Sequence, residues 1–200
     1  MARPRRSEKT RQDLLDLGVA ALAEKGYNGT GIKEILDSAN VPKGSFYNFF
    51  KSKEEFAVEI IAHYGEASLA KMDAFISNAE DHPADQVLKT IYQTTLGLIA
   101  SEDFRKTCLV GSLASEIAAS SDACRIALDK QHQQWLQRLE KLVAAGQQQG
   151  LFRTDMSSEL LAEVFWNQWQ GSLLTLKVEK SVDGAKQTLD AMMKLLYIAD

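Results

Sequence analysis

The fifteen residues from Val41 to Glu55 constrain the fold of this chain more than any other segment. A turn ending at Pro42 leads into a short stretch rich in aromatic residues, and a second turn follows. Pro42 cannot continue a preceding helix, but it suits the first position of the next one. Ser52-x-x-Glu55 has the spacing of a capping box, in which both side chains bond to backbone N–H groups of the first helical turn. The segment therefore predicts a short helix followed closely by the start of another.

The composition extends this prediction to the whole chain. Only three of its 200 residues are proline, and 45% are hydrophobic, which favours an all-α fold of one large or two small globular domains. The apolar runs are too short to span a membrane, and we expect no secretory signal. The two cysteines do not form a disulfide framework. We therefore expect a cytoplasmic protein with reduced thiols.

Apolar periodicity and capping signals predict about nine helices. A disordered basic arm is expected over residues 1–6, followed by a helix that Ser7 caps and Gly26 ends. Thr30 is the expected cap of a short second helix, and the third begins at Lys43. The predicted spans are 7–25, a short helix after Thr30, 43–49, 52–79, 84–100, 103–119, 122–146, 156–178 and 182–198.

The charge is divided unevenly along the chain. Residues 1–53 contain ten Lys and Arg against six Asp and Glu, although the whole chain has a net charge of −4. A basic front and an acidic remainder favour a DNA-facing head on a body with another role. We therefore predict a head over residues 1–53 and a second domain over residues 54–200, divided near the start of the fourth helix.

The second and third predicted helices form a helix-turn-helix, in which Phe46 is most simply a core residue. Polar or small residues of the third helix are candidates to contact bases or phosphates. Two further helix N-termini attract phosphate, and the basic arm has arginines that can reach a minor groove or the backbone. The DNA-contact candidates are Arg5, Arg6, Thr30, Lys43, Gly44, Ser45, Tyr47, Asn48 and Lys53.

The last two predicted helices carry more apolar surface than one small core needs. In the last helix the apolar residues follow gaps of 3, 4, 3 and 4 residues, as in a coiled-coil seam. These helices predict an intersubunit four-helix bundle, and an intramolecular core is the alternative. The interface candidates are Leu161, Val164, Val182, Ala185, Leu189, Met192 and Leu196.

The head resembles the TetR family of transcriptional regulators over about the first 60 residues. The matching residues are Gly26-Tyr27-x-x-Thr30, Ile35, Ala39, Val41 and Lys43-Gly44-Ser45-Phe46-Tyr47-x-x-Phe50-x-Ser52-Lys53-Glu54. The resemblance implies an all-α homodimeric repressor of a palindromic operator, with a C-terminal domain for ligand binding and dimerisation. Gly31 and Asn48 depart from the residues usual in the family, which affects operator contacts rather than the fold.

Cys108 is the residue of the body that we single out. It follows Arg105 and Lys106 near an expected helix start, and both features stabilise a thiolate. The alternative is a small buried apolar cysteine. Cys124 also lies near a helix start, but the neighbouring Asp122 counts against a thiolate there.

A second resemblance favours the reactive thiol. Cys108-Leu109-x-x-x-Leu113-x-x-Glu116 and Gly171-x-x-Leu174-x-x-Lys177 resemble the TetR subgroup of the N-ethylmaleimide reductase repressor. The resemblance implies that Cys108 responds to electrophiles or oxidants such as quinones, aldehydes and hypochlorous acid. It also implies that Lys177 is either an activating cation or an amine that traps the oxidised sulfur. A cation that complements the helix dipole is the alternative for Lys177.

Two other functions remain open. A non-covalent apolar ligand could bind among the body's aromatic residues, for which core packing is the alternative. These pocket candidates are Phe104, Trp135, Phe165, Trp166 and Trp169, with Met156 beside them. A thiol enzyme would need a base near Cys108, and none of the three histidines belongs to a recognisable motif. With no metal-ligand spacing and no phosphate loop, we expect no enzyme, metal or cofactor.

Overall fold

The computed structural model describes residues 3–79, 82–105 and 107–198, with side chains from residue 7 onward. These ranges contain nine α-helices and no strand beyond an isolated bridge between Phe152 and Tyr197, which confirms the predicted all-α fold. None of the described helices is long and apolar enough to cross a membrane. The helices are α1 (Arg3–Gly29), α2 (Ile32–Ser38), α3 (Lys43–Phe46), α4 (Lys53–Ser77), α5 (Ala84–Ser101), α6 (Leu109–Ile117), α7 (Asp122–Gln148), α8 (Ser158–Glu179) and α9 (Asp183–Leu196).

The N-terminal segment corrects one prediction. Helix α1 begins at Arg3, so the expected disordered arm over residues 1–6 is wrong from Arg3 onward, and Ser7 is not a cap. Proline is tolerated in a first helical turn and arginine favours helix, so Pro4 and its neighbours do not prevent this start. Gly26, with φ 70° and ψ 178°, interrupts the helix where the sequence predicted its end.

Thr30 does not cap the second helix. The residue before α2 is Gly31, and it makes no side-chain cap bond. Thr30 is instead buried, and its hydroxyl donates to the carbonyl oxygens of Gly26 at 2.6 Å and Ala21 at 3.2 Å. The kink at Gly26 interrupts the backbone hydrogen bonds of α1, which leaves carbonyl groups near the kink in need of donors. The hydroxyl of the buried Thr30 is such a donor.

The capping box at the start of α4 is present. The Ser52 hydroxyl accepts the Glu55 backbone N–H at 3.0 Å. The Glu55 carboxylate in turn accepts the N–H of Lys51, one residue earlier than in the ideal motif. Helix α3 ends at Phe46, three residues before the predicted end, and hydrogen-bonded turns continue to residue 49.

The predicted helix over residues 103–119 begins six residues later than expected. Asp103 and Phe104 have φ values of 54° and 58°, which are not right-handed helical values. Helix α6 therefore starts at Leu109, with Cys108 as its N-cap residue. Helix α8 begins at Ser158, where the Ser157 hydroxyl accepts the Leu160 N–H at 3.2 Å.

The chain divides into two compact units. The first consists of Met1–Ala67 and Cys108–Gln131, and the second of Ser68–Thr107 and His132–Asp200. The first unit's core includes a cluster of phenylalanines, in which Phe50 and Phe56 have ring centroids 4.5 Å apart. These units describe packing, and the functional division near residue 53 stays a prediction.

Candidate DNA interface and sensor site

The segment from Lys43 to Asn48 presents a polar surface above an apolar support. The side chains of Lys43, Tyr47 and Asn48 are exposed, Tyr47 by 60%, and Ser45 is half-buried. Phe46 is buried between them, with its ring edge-on to Tyr47 at 5.4 Å. A Cβ added at Gly44 would meet nothing within 4 Å, so the backbone there is open to close approach. Polar donors on such a surface are the groups that contact phosphates and base edges.

Lys53 is bound to residues 27–29, which follow the Gly26 kink at the end of α1 and which we call the turn between α1 and α2. Its Nζ donates to the Tyr27 carbonyl oxygen at 2.7 Å and lies 4.3 Å from the centroid of the Tyr27 ring. Burial lowers the pKa of Lys53, and the Glu116 carboxylate opposes that shift. Its proposed contact with phosphate therefore competes with an internal hydrogen bond.

Three other DNA-contact candidates do not contribute to this exposed surface. Thr30 is buried with its hydroxyl bonded to carbonyl oxygens, so it does not belong to the exposed surface. The side chains of Arg5 and Arg6 lie outside the described residues. The surface that remains is formed by Lys43, Gly44, Ser45, Tyr47 and Asn48.

Cys108 lies at the N-cap of α6, with φ −68° and ψ 115°. Its side chain is half-buried, so the thiol belongs neither to the fully buried core nor to open surface. Next to it, the backbone N–H of Leu109 donates to the Tyr64 hydroxyl at 3.5 Å. Of the two predicted cationic neighbours, Arg105 is exposed and its Nε donates to the Glu102 carbonyl, and Lys106 lies outside the described residues.

Cys124 has the opposite environment. It is fully buried, and burial raises the pKa of its thiol, with a smaller contribution of the same sign from the Glu54 charge. The Ser121 hydroxyl, which donates to Glu54 at 2.5 Å, favours the thiolate but does not outweigh burial. Cys124 is therefore a poor nucleophile, as expected from the sequence.

The second unit contains an aromatic cluster. The Tyr92 ring contacts Phe165 at 4.9 Å and Trp169 at 4.4 Å, measured between centroids. The Trp166 ring also lies against two rings of α7, with centroid distances of 5.6 Å and 5.7 Å. Phe165, Trp166 and Trp169 are all buried, so most of the predicted pocket residues form core.

Two nitrogen atoms in this cluster lack partners. His132 stacks on Trp166 at 5.6 Å, and Trp135 lies 5.7 Å from the same ring. His132 Nε2 and Trp135 Nε1 are buried without a hydrogen-bond partner among the residues that the structure describes. Of the other pocket candidates, Phe104 is half-buried and Met156 is exposed.

The predicted interface residues lie mainly in the core of the second unit. Leu161, Ala185, Leu189, Met192 and Leu196 are buried within a single chain, as the intramolecular alternative predicts. Their apolar surface packs mainly between helices of one chain, as in the contact of α8 with α9, and Ala185 and Met192 also line a groove between these two helices.

A different face of α8 is apolar and exposed. Val164, a predicted interface residue, belongs to it, whereas Val182 is half-buried before α9. The exposed apolar residues of this face are Leu160, Val164, Leu174 and Val178. A groove of about 570 Å³ continues the face between α8 and α9, beside Gly171, Ala191 and the exposed Leu195. We call these residues of α8 and α9 the exposed seam.

Lys177 is exposed in the last turn of α8, two residues before the end of the helix. It belongs to the second unit, and Cys108 to the first. Among the described residues, no group of three or more His, Cys, Asp or Glu side chains is arranged to hold a metal ion.

Comparison with known proteins decides the family. Residues 14–60 match the family of bacterial regulatory proteins of the tetR type, and residues 83–192 match the tetracyclin repressor-like C-terminal domain. The chain belongs to the TetR family. It is 34% identical to the transcriptional regulator AcuR of Cereibacter sphaeroides, over 86% of this chain and 78% of AcuR. It is 30% identical to the transcriptional repressor DhaR of Mycobacterium sp. strain GP1, over 93% and 91% of the two chains.

A third relative bears on the second resemblance, which the segments around Cys108 and Lys177 carry. The TetR-family repressor NemR of Escherichia coli K12 is 28% identical over 90% of both chains. The crystal structure of reduced E. coli NemR matches with a TM-score of 0.87 at 25% identity, covering 96% of this chain and 98% of NemR. These matches confirm the resemblance to that TetR subgroup. TetR-family proteins are DNA-binding transcriptional regulators rather than enzymes, and this chain is a repressor of that family.

Proposed function

We propose that this TetR-family repressor is a homodimer that leaves its palindromic operator when an electrophile or oxidant modifies Cys108. The observation that carries the proposal is the half-buried thiol of Cys108 at the N-cap of α6. Partial burial gives the thiol both access to small reagents and contact with the protein. The thiolate is the nucleophilic form of a cysteine, so access of reagents to this side chain is what the mechanism requires.

Binding to DNA in the cytoplasm would use two heads per dimer. Two recognition segments about one helical turn apart (~34 Å) reach successive major grooves of one DNA face. Lys43, Tyr47 and Asn48 supply exposed donors for this surface. The exposed seam of α8 and α9 is the proposed subunit interface, because an apolar face of this extent needs cover in water.

Modification would change the packing at one end of α6. With N-ethylmaleimide, the Cys108 thiolate adds to one carbon of the alkene and the other carbon takes a proton from water. The added group is far larger than the hydrogen it replaces, so a half-buried site must rearrange. Release of DNA requires only that the modified dimer favour the wrong head spacing by a few kcal/mol. Lys177 has the proposed role of an activating cation or of an amine that traps an oxidised sulfur.

Fluorescence anisotropy of the reduced protein on its own upstream DNA tests the proposal, with and without N-ethylmaleimide. The wild type should lose affinity after alkylation, and Cys108→Ser should keep it. Cys124→Ser is the matched control, since its thiol is fully buried and it should respond like the wild type. A Cys108→Ser protein that still releases DNA after alkylation would overturn the thiol mechanism. Retained release in Lys177→Met would remove Lys177 from it.

A second candidate is a non-covalent ligand in the second unit. The unpartnered nitrogens of His132 and Trp135 beside Trp166 favour it, because buried polar atoms normally have hydrogen-bond partners. The indole N–H is a donor, so the expected ligand is flat, apolar and carries a carbonyl or carboxylate oxygen. Quenching of tryptophan fluorescence by such a compound in Cys108→Ser protein, reduced in Trp135→Phe, would support this candidate. Equal quenching in both proteins would exclude this site.

A further inference from the structure

The turn between α1 and α2 is held by side chains from outside the helix-turn-helix. Lys53 of α4 donates to the Tyr27 carbonyl at 2.7 Å. From α6, the Glu116 carboxylate accepts the backbone N–H of Asn28 at 3.3 Å. All four residues belong to the first unit. The turn that leads into α2 is therefore bonded to α4 and α6.

Gly26 fits the Glu116 carboxylate closely. Its φ of 70° is a conformation that residues with a side chain rarely adopt. In addition, a Cβ at this position would overlap the carboxylate of Glu116. The glycine thus serves two purposes, since it makes the turn and leaves space for a carboxylate from a helix 90 residues further along the chain.

Helix α6 connects this contact to Cys108. The helix has nine residues, with Cys108 as its N-cap and Glu116 in its last turn. Eight residues of helix correspond to about 12 Å, so Cys108 and Glu116 lie at opposite ends of one short helix. Buried apolar residues of α6, such as Leu113 and Ile117, share the core that supports α1 and α2.

Electrostatics agree with this arrangement. The charge of Glu116 favours the protonated form of Lys53, against the effect of burial on the pKa of Lys53. The carboxylate and the ammonium therefore support the same turn, one through the N–H of Asn28 and the other through the carbonyl of Tyr27. No apolar packing explains Glu116, because its side chain is exposed.

We infer that Glu116 is a positioning residue for DNA binding, which holds the α1–α2 turn and links it through α6 to Cys108. The link to Cys108 rests on the proposed function, whereas the effect of Glu116 on DNA affinity does not. When α6 shifts, the Glu116 carboxylate shifts with it, and the turn that orients the helix-turn-helix loses a bond.

Operator affinity of Glu116→Ala and Glu116→Gln tests the inference, measured by anisotropy at constant salt. Loss of this exposed hydrogen bond should weaken binding by Glu116→Ala about five- to tenfold. The amide oxygen of Glu116→Gln still accepts the Asn28 N–H, so this variant should stay within about twofold of the wild type. Glu66→Ala, an exposed glutamate of the same unit, is the matched control and should bind normally. Wild-type affinity in Glu116→Ala, or an equal loss in Glu116→Gln, would overturn the inference.

The response to N-ethylmaleimide separates positioning from stability alone. The ratio of operator Kd with and without reagent should be smaller in Glu116→Ala than in the wild type, because the contact that α6 breaks is already absent. An unchanged ratio would refute the link to Cys108. If the wild type does not respond to the reagent, the proposed thiol mechanism fails, and the affinities above still decide the role of Glu116.

A double-mutant cycle with Gly26→Ala gives a second test that tolerates reduced stability. In the wild-type background, Gly26→Ala forces an alanine into an unfavourable φ and places its methyl group against the Glu116 carboxylate. In Glu116→Ala only the φ remains unfavourable. We expect the fold-loss of operator affinity caused by Gly26→Ala to be at least about threefold smaller in the Glu116→Ala background than in the wild type. The reason is that the effects of substitutions at residues in contact are not additive. Additive effects would contradict the contact.

Discussion

Leu174 gives a quantitative test of the exposed seam as the subunit interface. Its side chain is 62% exposed in the single chain. Complete burial of a leucine contributes about 1.5–3 kcal/mol, so covering the remaining surface contributes about 1–2 kcal/mol per copy. A two-fold interface contains two copies. Leu174→Ala should therefore weaken the dimer by about 2–4 kcal/mol, or about 30- to 900-fold in the dimer Kd.

Sedimentation velocity over a dilution series measures this Kd. Leu98→Ala is a matched control, because Leu98 is 61% exposed in the same unit but lies on α5, which contributes no residue to the exposed seam. It should leave the dimer unchanged. A wild-type Kd in Leu174→Ala, or equal weakening in both variants, would refute the assignment of the interface to this face.

Three other variants probe the head and the stability of each unit. Lys43→Ala should weaken operator binding and reduce the slope of log K against log salt by about 1.8, as two copies each lose one phosphate contact; Lys130→Ala, exposed on α7, is the control. Thr30→Val removes a buried hydroxyl that donates to two carbonyl oxygens. Urea denaturation should show a free energy of unfolding lower by about 1–3 kcal/mol, and an unchanged midpoint would contradict this. The hydrogen bond from Arg138 holds the pKa of Asp73 below its usual value of 3.8, so stability from this pair is present above that pH and is lost as pH falls through the lower folded pKa. Denaturation midpoints of Asp73→Asn should consequently fall less steeply below pH 4 than those of the wild type, and parallel curves would refute the pairing.

Local signals predicted the helix-turn-helix well. Pro42 and the capping box at Ser52 and Glu55 act within a few residues, so the starts of α3 and α4 could be placed closely from sequence. The prediction that Thr30 caps the second helix is wrong, and the reason is also local. Threonine before an apolar stretch is a typical cap, but the kink at Gly26 created carbonyls that its hydroxyl satisfies instead.

Features that depend on tertiary packing were harder to predict. Helix α8 has apolar residues on two faces, and periodicity does not indicate which face is covered within the chain. The periodicity therefore predicts the core face as the interface, whereas Leu174 lies on the exposed face that we propose for this role. Likewise, the positive φ values of Asp103 and Phe104 delay the start of α6. The sequence does not signal this, because neither residue type requires a positive φ. The contact of Glu116 with Asn28 joins residues 88 positions apart, and no local pattern signals it.

The recognition segment alternates between outward polar residues and inward aromatic ones. Lys43, Tyr47 and Asn48 face solvent, whereas Phe46 and Phe50 are almost fully buried. The reading surface and its foundation therefore consist of different residues in one short stretch of chain. We expect substitutions at the outward positions to change the preferred bases at little cost in stability. Descendants of such a chain can acquire new target sequences in small steps, while the inward aromatic residues keep the scaffold that presents them.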